Sequence, residues 1–226
     1  MTPTLRLDLH VHCVNSPDSG LRVETVIERL GIVGLNGFAL TDHNTTAGHG
    51  RLRELAREYP RLLLVPGVEV STVEGHLLVY GVSEPPPPHR PLSDTLDWVK
   101  ERAAVAVLAH PFRWSHGVGR RIADLARVDG IEGINGHNSE LANARAHLLA
   151  TRRGLSATGG SDAHHAMGVG RAYTEVSPEV ADVDDLLREL RSGRAQPAGR
   201  SLTGFDRVRL GVRTGLLRAT RGFRPI

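Results

Sequence analysis

Cysteine is almost missing from this 226-residue sequence. Cys13 stands alone, so no internal disulfide can form, and a metal site here must rest on imidazole and carboxylate rather than thiolate. Lysine is as scarce, Lys100 being the only one, and aromatic residues make up 4% of the chain. No apolar run approaches the roughly 18 residues that a membrane-spanning helix needs. Met1-Thr2-Pro3-Thr4 leads into a strand without a signal-peptide pattern, so a soluble, cytoplasmic protein with no membrane partner is expected. The length suits one domain with a real core.

The net charge of +3 is unevenly spread. Residues 200–226 hold seven arginines against Asp206, a net +6, which leaves residues 1–199 with 21 basic and 24 acidic residues, a net −3. Phe205, Val208, Val212 and Leu216 recur at helical spacing in the basic stretch. It is expected to be an amphipathic segment packed on the body, not a separate domain, with contact to a nucleic-acid backbone as the less favoured alternative.

The chain alternates short apolar runs with helical periods. Residues 5–12 read as a strand, 23–35 as a helix, 37–40 as a strand, and the region of Leu52, Leu55 and Ala56 as a helix stopped by Pro60. Residues 62–70 read as a buried strand and 77–82 as an added one; Pro85-Pro86-Pro87-Pro88 is expected to be an exposed connection. Helices at 93–103, 120–127, 139–153 and 178–191, the last opened by its proline, alternate with strands at 105–109, 130–134, 156–159 and 171–176. About seven strands with helices between them fit a barrel or an open sheet. Metal-type residues close at least five of the runs, and only a barrel gathers every strand end at one mouth. An α/β barrel over residues 1–199 is therefore expected.

The first strand ends Asp8-Leu9-His10-Val11-His12. Side chains alternate along a strand, so Asp8, His10 and His12 are expected on one face and Leu7, Leu9 and Val11 on the other. Asp42-His43, Glu69, His110 and Asp162-Ala163-His164 each stand at the exit of a later apolar run. Together these segments suit Mn²⁺, Zn²⁺ or Fe²⁺. A pair of such ions can hold two oxygens of a phosphate and generate hydroxide, provided a carboxylate bridges them, and Glu69 is the candidate bridge. Asp8 and Asp42 are expected to orient imidazoles from behind. His49, His89 and His147 carry no motif and are expected at the surface.

In order, Asp8-Leu9-His10-Val11-His12, Ser16-Pro17-Asp18-Ser19, Leu40-Thr41-Asp42-His43-Asn44, Pro66-Gly67-Val68-Glu69, Gly75-His76-Leu77-Leu78, Ala109-His110-Pro111 and Gly160-Ser161-Asp162-Ala163-His164 resemble the successive motifs of the polymerase and histidinol phosphatase (PHP) family of metal-dependent phosphoesterases. The resemblance implies a distorted (β/α)7 barrel with two to three divalent metal ions at the C-terminal mouth of the strands. It implies His10, His12, Glu69 and Asp162 around one ion, Glu69, His76 and His110 around a second, and Asp18, His43 and His164 around a third. Every position of that pattern is filled.

The expected activity is hydrolysis of a small phosphomonoester or nucleotide by attack of a metal-held hydroxide. Glu69 and Asp162 are expected at the reacting ions, with His164, another mouth histidine or solvent protonating the leaving alkoxide. Arg113 and Arg171 are candidates to pair with phosphate, Trp114 to stack a base, and His137 to line the pocket. Asn135 and Asn138 are candidates to support the site. Phosphodiester cleavage at RNA or DNA ends is the alternative. A metal-dependent amidohydrolase is disfavoured, since Lys100 lies in a helix and Glu69 fills the bridge, and a catalytically silent accessory module is a further alternative.

Overall fold

The computed structural model describes residues 4–201, so the expected amphipathic segment lies, after Ser201, outside the described residues. The elements are β1 (Leu5–Val11), α1 (Val23–Val33), β2 (Gly37–Leu40), α2 (His49–Glu58), β3 (Leu63–Ser71), β4 (His76–Tyr80), α3 (Leu92–Glu101), β5 (Val105–Leu108), α4 (Gly119–Leu125), β6 (Gly130–Asn135), α5 (Glu140–Arg153), β7 (Ser156–Gly160), β8 (Ala172–Val176), α6 (Val183–Arg191) and β9 (Gln196–Gly199). Local chemistry sets several of these ends. Gly34 and Gly154 stop α1 and α5 in the left-handed conformation, at φ 71° and 63°. The Ser139 side chain opens α5 by accepting from the Ala142 amide.

The strands form one sheet in the order β7-β6-β5-β4-β3-β2-β1-β8-β9. β4 pairs antiparallel with both β3 and β5, and β8 with both β1 and β9, while the remaining neighbours are parallel. Seven strands therefore point one way. The strand read as an addition at 77–82 is β4, a full member of the wall. β9 went unread because Gln196-Pro197-Ala198-Gly199 looks like a connection; its proline is tolerated at an edge. α6 starts at Val183 rather than at Pro178, because the Asp182 side chain caps it by accepting from the Asp185 amide at 2.8 Å.

The two ends of the sheet meet, so the wall is a nearly closed barrel. His12 N donates to Ala163 O at 3.0 Å and Asp162 N to His10 O at 2.7 Å, joining the end of β1 to the segment after β7. Gly159 N donates to Thr174 Oγ1 on β8 at 2.9 Å. One apolar cluster gathers Leu7, Leu9, Ala39, Val65, Leu78, Tyr80 and Val107 from around the wall, together with Leu186, Leu187 and Leu190 of α6. This is the barrel interior, closed at the end away from the histidines by α6. Separate clusters lie outside the wall under α1 and α2, and under α3, α4 and α5. No helix among the described residues is long and apolar enough to cross a membrane.

The first strand departs from simple alternation. Pairing between β1 and β2 slips between Asp8 and Val11. Leu7 and Leu9 accordingly face the interior, whereas Val11 and Cys13 join the cluster under α1 and α2. Asp8 is carried away from His10 and His12 and does not share their face. Its carboxylate instead accepts from Ser161 N (2.8 Å), Ser161 Oγ (2.5 Å), Gly170 N (2.9 Å) and His10 N (3.4 Å).

Closure depends on a lack of side chain in β7. A Cβ at Gly159 would stand 2.1 Å from Tyr173 O, and one at Gly160 2.3 Å from His10 Cβ and 2.8 Å from Glu132 Oε1. Gly160→Ala is expected to lower stability by about 1–3 kcal/mol, the usual range for forced overpacking. A urea unfolding midpoint equal to that of the parent protein would contradict this account of closure.

Candidate metal centre

Glu69 pairs with Leu78 across the ladder, so it faces the barrel interior, and it is 1% exposed. Its two oxygens serve different imidazoles. Oε1 lies 2.8 Å from His76 Nδ1 and 2.9 Å from His110 Nε2. Oε2 lies 3.1 Å from Nε2 of both His10 and His12, and 3.3 Å from His43 Nδ1. Asp162 Oδ1 stands 3.6 Å and 3.3 Å from the same two Nε2 atoms. On the far side, Asp18 Oδ2 is 3.1 Å from His164 Nε2 and 3.6 Å from His43 Nε2. All nine residues of the implied ligand pattern thus meet in one cluster, none more than 7% exposed.

The donor set fits divalent cations. Glu132 Oε1 accepts from His10 Nδ1–H at 2.9 Å, which leaves a neutral His10 with its Nε2 lone pair facing outward. That lone pair meets His12 Nε2 at 3.1 Å and the oxygens of Glu69 and Asp162. Lone pairs and anionic oxygens crowded this closely need a cation between them. Among the described residues four groupings are compact enough to hold one, each with ligand atoms within 4.8 Å of one another: His10, His12, Glu69 and Asp162; His43, Glu69 and His76; His12, His43 and His164; and His137, Asp162 and His164.

A proton is the competing cation. Burial pulls His10 and His12 down, but the carboxylates of Asp162 and Glu69 outweigh it; His10 is held well above the ordinary imidazole range and His12 at about 10. Burial wins at His43 and His110, which it pushes down to about 4 and about 3. Burial opposes ionisation of Glu69 and Asp162 as well, yet His10 and its neighbours hold both carboxyls well below their usual range.

Backbone strain accompanies two of these positions. His110 and Asp162 have φ of 31° and 56°, in the left-handed region where a Cβ is crowded. Each is fastened by its amide: His110 N donates to Glu132 Oε2 at 2.7 Å and Asp162 N to His10 O at 2.7 Å.

Glu132 is the residue that sequence reasoning missed. It is fully buried in β6, accepts from His10, His110 and Asn135, and ties β1, β5 and β6 together. A lone acid in the apolar run Gly130-Ile131-Glu132-Gly133-Ile134 was the available signal. The acids expected behind the imidazoles bind backbone amides and serine hydroxyls, Asp42 meeting Ser16, whose Oγ lies 3.1 Å from His12 Nδ1. Asp8 holds the amides described above, and Asp42 Oδ1 accepts from Cys13 N at 2.5 Å. His49 is buried rather than at the surface, donating Nε2–H to Gly67 O at 2.9 Å.

The expected substrate residues separate. Arg113 joins the cluster, with Nη2 2.6 Å from Asp162 Oδ2 and 2.6 Å from Asn135 Oδ1, and Nε 3.0 Å from Asn138 Oδ1. The His137 ring stacks on His164 at 5.8 Å between centroids. Arg171 turns its Nε to Met167 O at 3.3 Å, and Trp114 is fully exposed.

Two outcomes are expected. Glu132→Gln places an NH₂ against one of three donors and should weaken divalent-ion affinity by about 10–100-fold, measured by calorimetric titration. With His12 protonated up to about pH 10, ion binding at pH 7 should release protons and tighten as pH rises from 6 to 8. Titrations in buffers of different ionisation enthalpy would show this, and a pH-independent affinity would refute it.

Residues 140–195 match a family described as PHP-associated. The chain is 44% identical over 71 residues to the 5′-3′ exoribonuclease Rnm of Salmonella typhimurium, covering 30% of this chain and 24% of that protein. It is 34% identical over 114 residues to the 3′,5′-nucleoside bisphosphate phosphatase of Chromobacterium violaceum, covering 47% and 39%. In fold it is similar to a two-domain protein containing a predicted PHP-like metal-dependent phosphoesterase from Bacteroides vulgatus, with a TM-score of 0.75, 20% identity and coverage of 95% and 72%. The barrel is thus PHP-like in fold, residues 140–195 match the PHP-associated family, and the cluster around Glu69 holds the residues that the resemblance implies as ligands.

Proposed function

We propose that this chain hydrolyses the terminal phosphate monoester of a small nucleotide at the cluster around Glu69. The supporting observation is the division of Glu69, with His76 and His110 on one oxygen and His10, His12 and His43 on the other, which suits cations on both sides of one carboxylate. Divalent ions held there would supply Lewis-acid charge that activates water near neutral pH and neutralises a phosphoryl group.

The chain's own residues position and orient. Glu132 fixes the His10 tautomer, and Ser16 Oγ lies 3.1 Å from His12 Nδ1. Arg113 commits Nε and Nη2 to Asn138, Asn135 and Asp162, so a phosphate oxygen is left mainly Nη1, a single charge-assisted contact instead of a two-pronged one. His137, stacked on His164 and pushed down by burial to about 3, is uncharged at neutral pH. His164 directs Nδ1 to Asp162 O at 2.8 Å and Nε2 to Asp18, so both nitrogens are committed and the leaving alkoxide takes its proton from solvent. A second reading, cleavage at an RNA end, draws on the likeness to Rnm and on Trp114, fully exposed next to Arg113 and able to stack a base.

Full-length protein loaded with Mn²⁺ is expected to release phosphate from p-nitrophenyl phosphate and, faster, from a 3′,5′-nucleoside bisphosphate. Preference for a 5′-phosphorylated RNA oligonucleotide would favour the second reading, and no turnover on any of the three with ions bound would overturn both. Arg113→Lys, which cannot reproduce the three contacts, is expected to lower kcat/KM by about 10²–10³-fold.

A further inference from the structure

Several exposed arginines of this chain answer acids. Arg51 reaches Glu24, Glu54 and Glu58, Arg102 reaches Glu84 and Glu101, and Arg188 reaches Asp185. Between α4 and α5 that pattern fails. Arg145 and Arg152, exposed and seven residues apart on one face of α5, make no ion pair with an acid among the described residues. Arg120 of α4 meets one acid, Asp124, at 3.5 Å, with both side chains exposed. The three arginines and Asp124 line one cavity of about 340 Å³, to which Phe112, Leu148 and Leu149 add an apolar wall.

The cavity is built into the contact between the helices. Arg153 Nη1 donates to Ala123 O at 2.7 Å and Nη2 to Ala126 O at 2.6 Å, which clamps the end of α4 to α5. Phe112, half-buried, packs on the apolar cluster beneath them. Charge then limits what the cavity holds. Three guanidinium groups against one carboxylate leave a net +2, and like charges gathered without acids between them favour an anion. Arginine forks match phosphate oxygens, and a phosphomonoester carries nearly two negative charges at neutral pH. The volume falls at the small end of the roughly 300–1,000 Å³ of small-molecule sites, more than a bare phosphate fills and too little for successive residues of a strand. An aromatic ring and two leucines offer the remainder of the ligand a flat apolar wall.

We propose that the cavity between α4 and α5 is an anion site separate from the metal centre and takes a nucleoside monophosphate, with Arg120, Arg145 and Arg152 on the phosphate and the base against Phe112 and Leu148. None of its lining residues belongs to the cluster around Glu69, so the site stands or falls independently of the activity proposed there. Phe112 lies two residues after His110 and directly before Arg113, so one loop borders both places.

The test is arginine protection in the full-length, Mn²⁺-loaded protein. Phenylglyoxal modifies exposed guanidinium groups, and peptide mass spectrometry assigns each modified position. The probe is the phosphonate analogue of AMP, whose C–P bond resists hydrolysis at the metal centre. At saturation it should slow modification of Arg145 and Arg152 at least 10-fold and leave Arg121, exposed on α4 outside the cavity, unchanged. Adenosine should protect neither, and inorganic phosphate should need at least 10-fold higher concentration than the probe. Arg152→Gln should raise the probe concentration that half-protects Arg145 at least 10-fold; Arg152 is exposed, so this replacement reads the ligand and not folding. Equal protection of Arg121, or half-protection of Arg145 unmoved in Arg152→Gln, would overturn the site. Phosphate or adenosine as effective as the probe would overturn the nucleotide, and a 5′-phosphorylated RNA oligonucleotide effective at 10-fold lower concentration would overturn it in favour of a strand.

Discussion

Glu69 is a carboxylate buried at the centre of a barrel, and the surrounding structure is arranged to make that burial tolerable. An ionised acid removed from water costs several kcal/mol unless charge and hydrogen bonds are returned to it. Here they come from five imidazoles on and just after β1, on β4, and in the loops after β2 and β5. Those elements are close enough only because the wall curls round until β7 meets β1. Fold and site are therefore one problem, in which closure brings the imidazoles in and the imidazoles keep the acid ionised.

Support for the cluster runs through groups that touch backbone as much as side chains. Glu132 holds the His10 ring with one oxygen and the His110 amide with the other, so a ligand ring on one strand and a strained main chain on another are set by a single residue. Arg113 closes the rim by binding the outer oxygen of Asp162, whose inner oxygen faces His10 and His12. Its fixed positive charge offsets part of the local negative charge whatever cations are bound. The left-handed backbone at His110 and Asp162 is tolerable for the same reason: both amides are hydrogen-bonded in place.

The implied ligands were legible because each stands at the exit of an apolar run, where a barrel must collect them, and the helices between were legible through their apolar periodicity. Three features were not. The slip in β1 that separates Asp8 from His10 is set by pairing with β2, and no alternation rule reads across it. Glu132 hid inside a strand, since a polar residue at an interior position gains its meaning only when His10, 122 residues away, lies against it. β9 is built from residues poor at forming strands and exists because β8 offers it an edge. In each case the deciding contact is remote in sequence.

The hydrogen bonds of Asp8 have a consequence for how the molecule comes together. They join residue 8 to residues 161 and 170, across separations of 153 and 162 positions. A contact of that range forms late on statistical grounds, because so long a loop must close before the contact repays it. During synthesis His10 and His12 emerge about 150 residues before Asp162 and the Ser161 anchor that sets their strand. Until then, half of one cation site stands without Asp162, and the centre is completed in the same event that shuts the barrel.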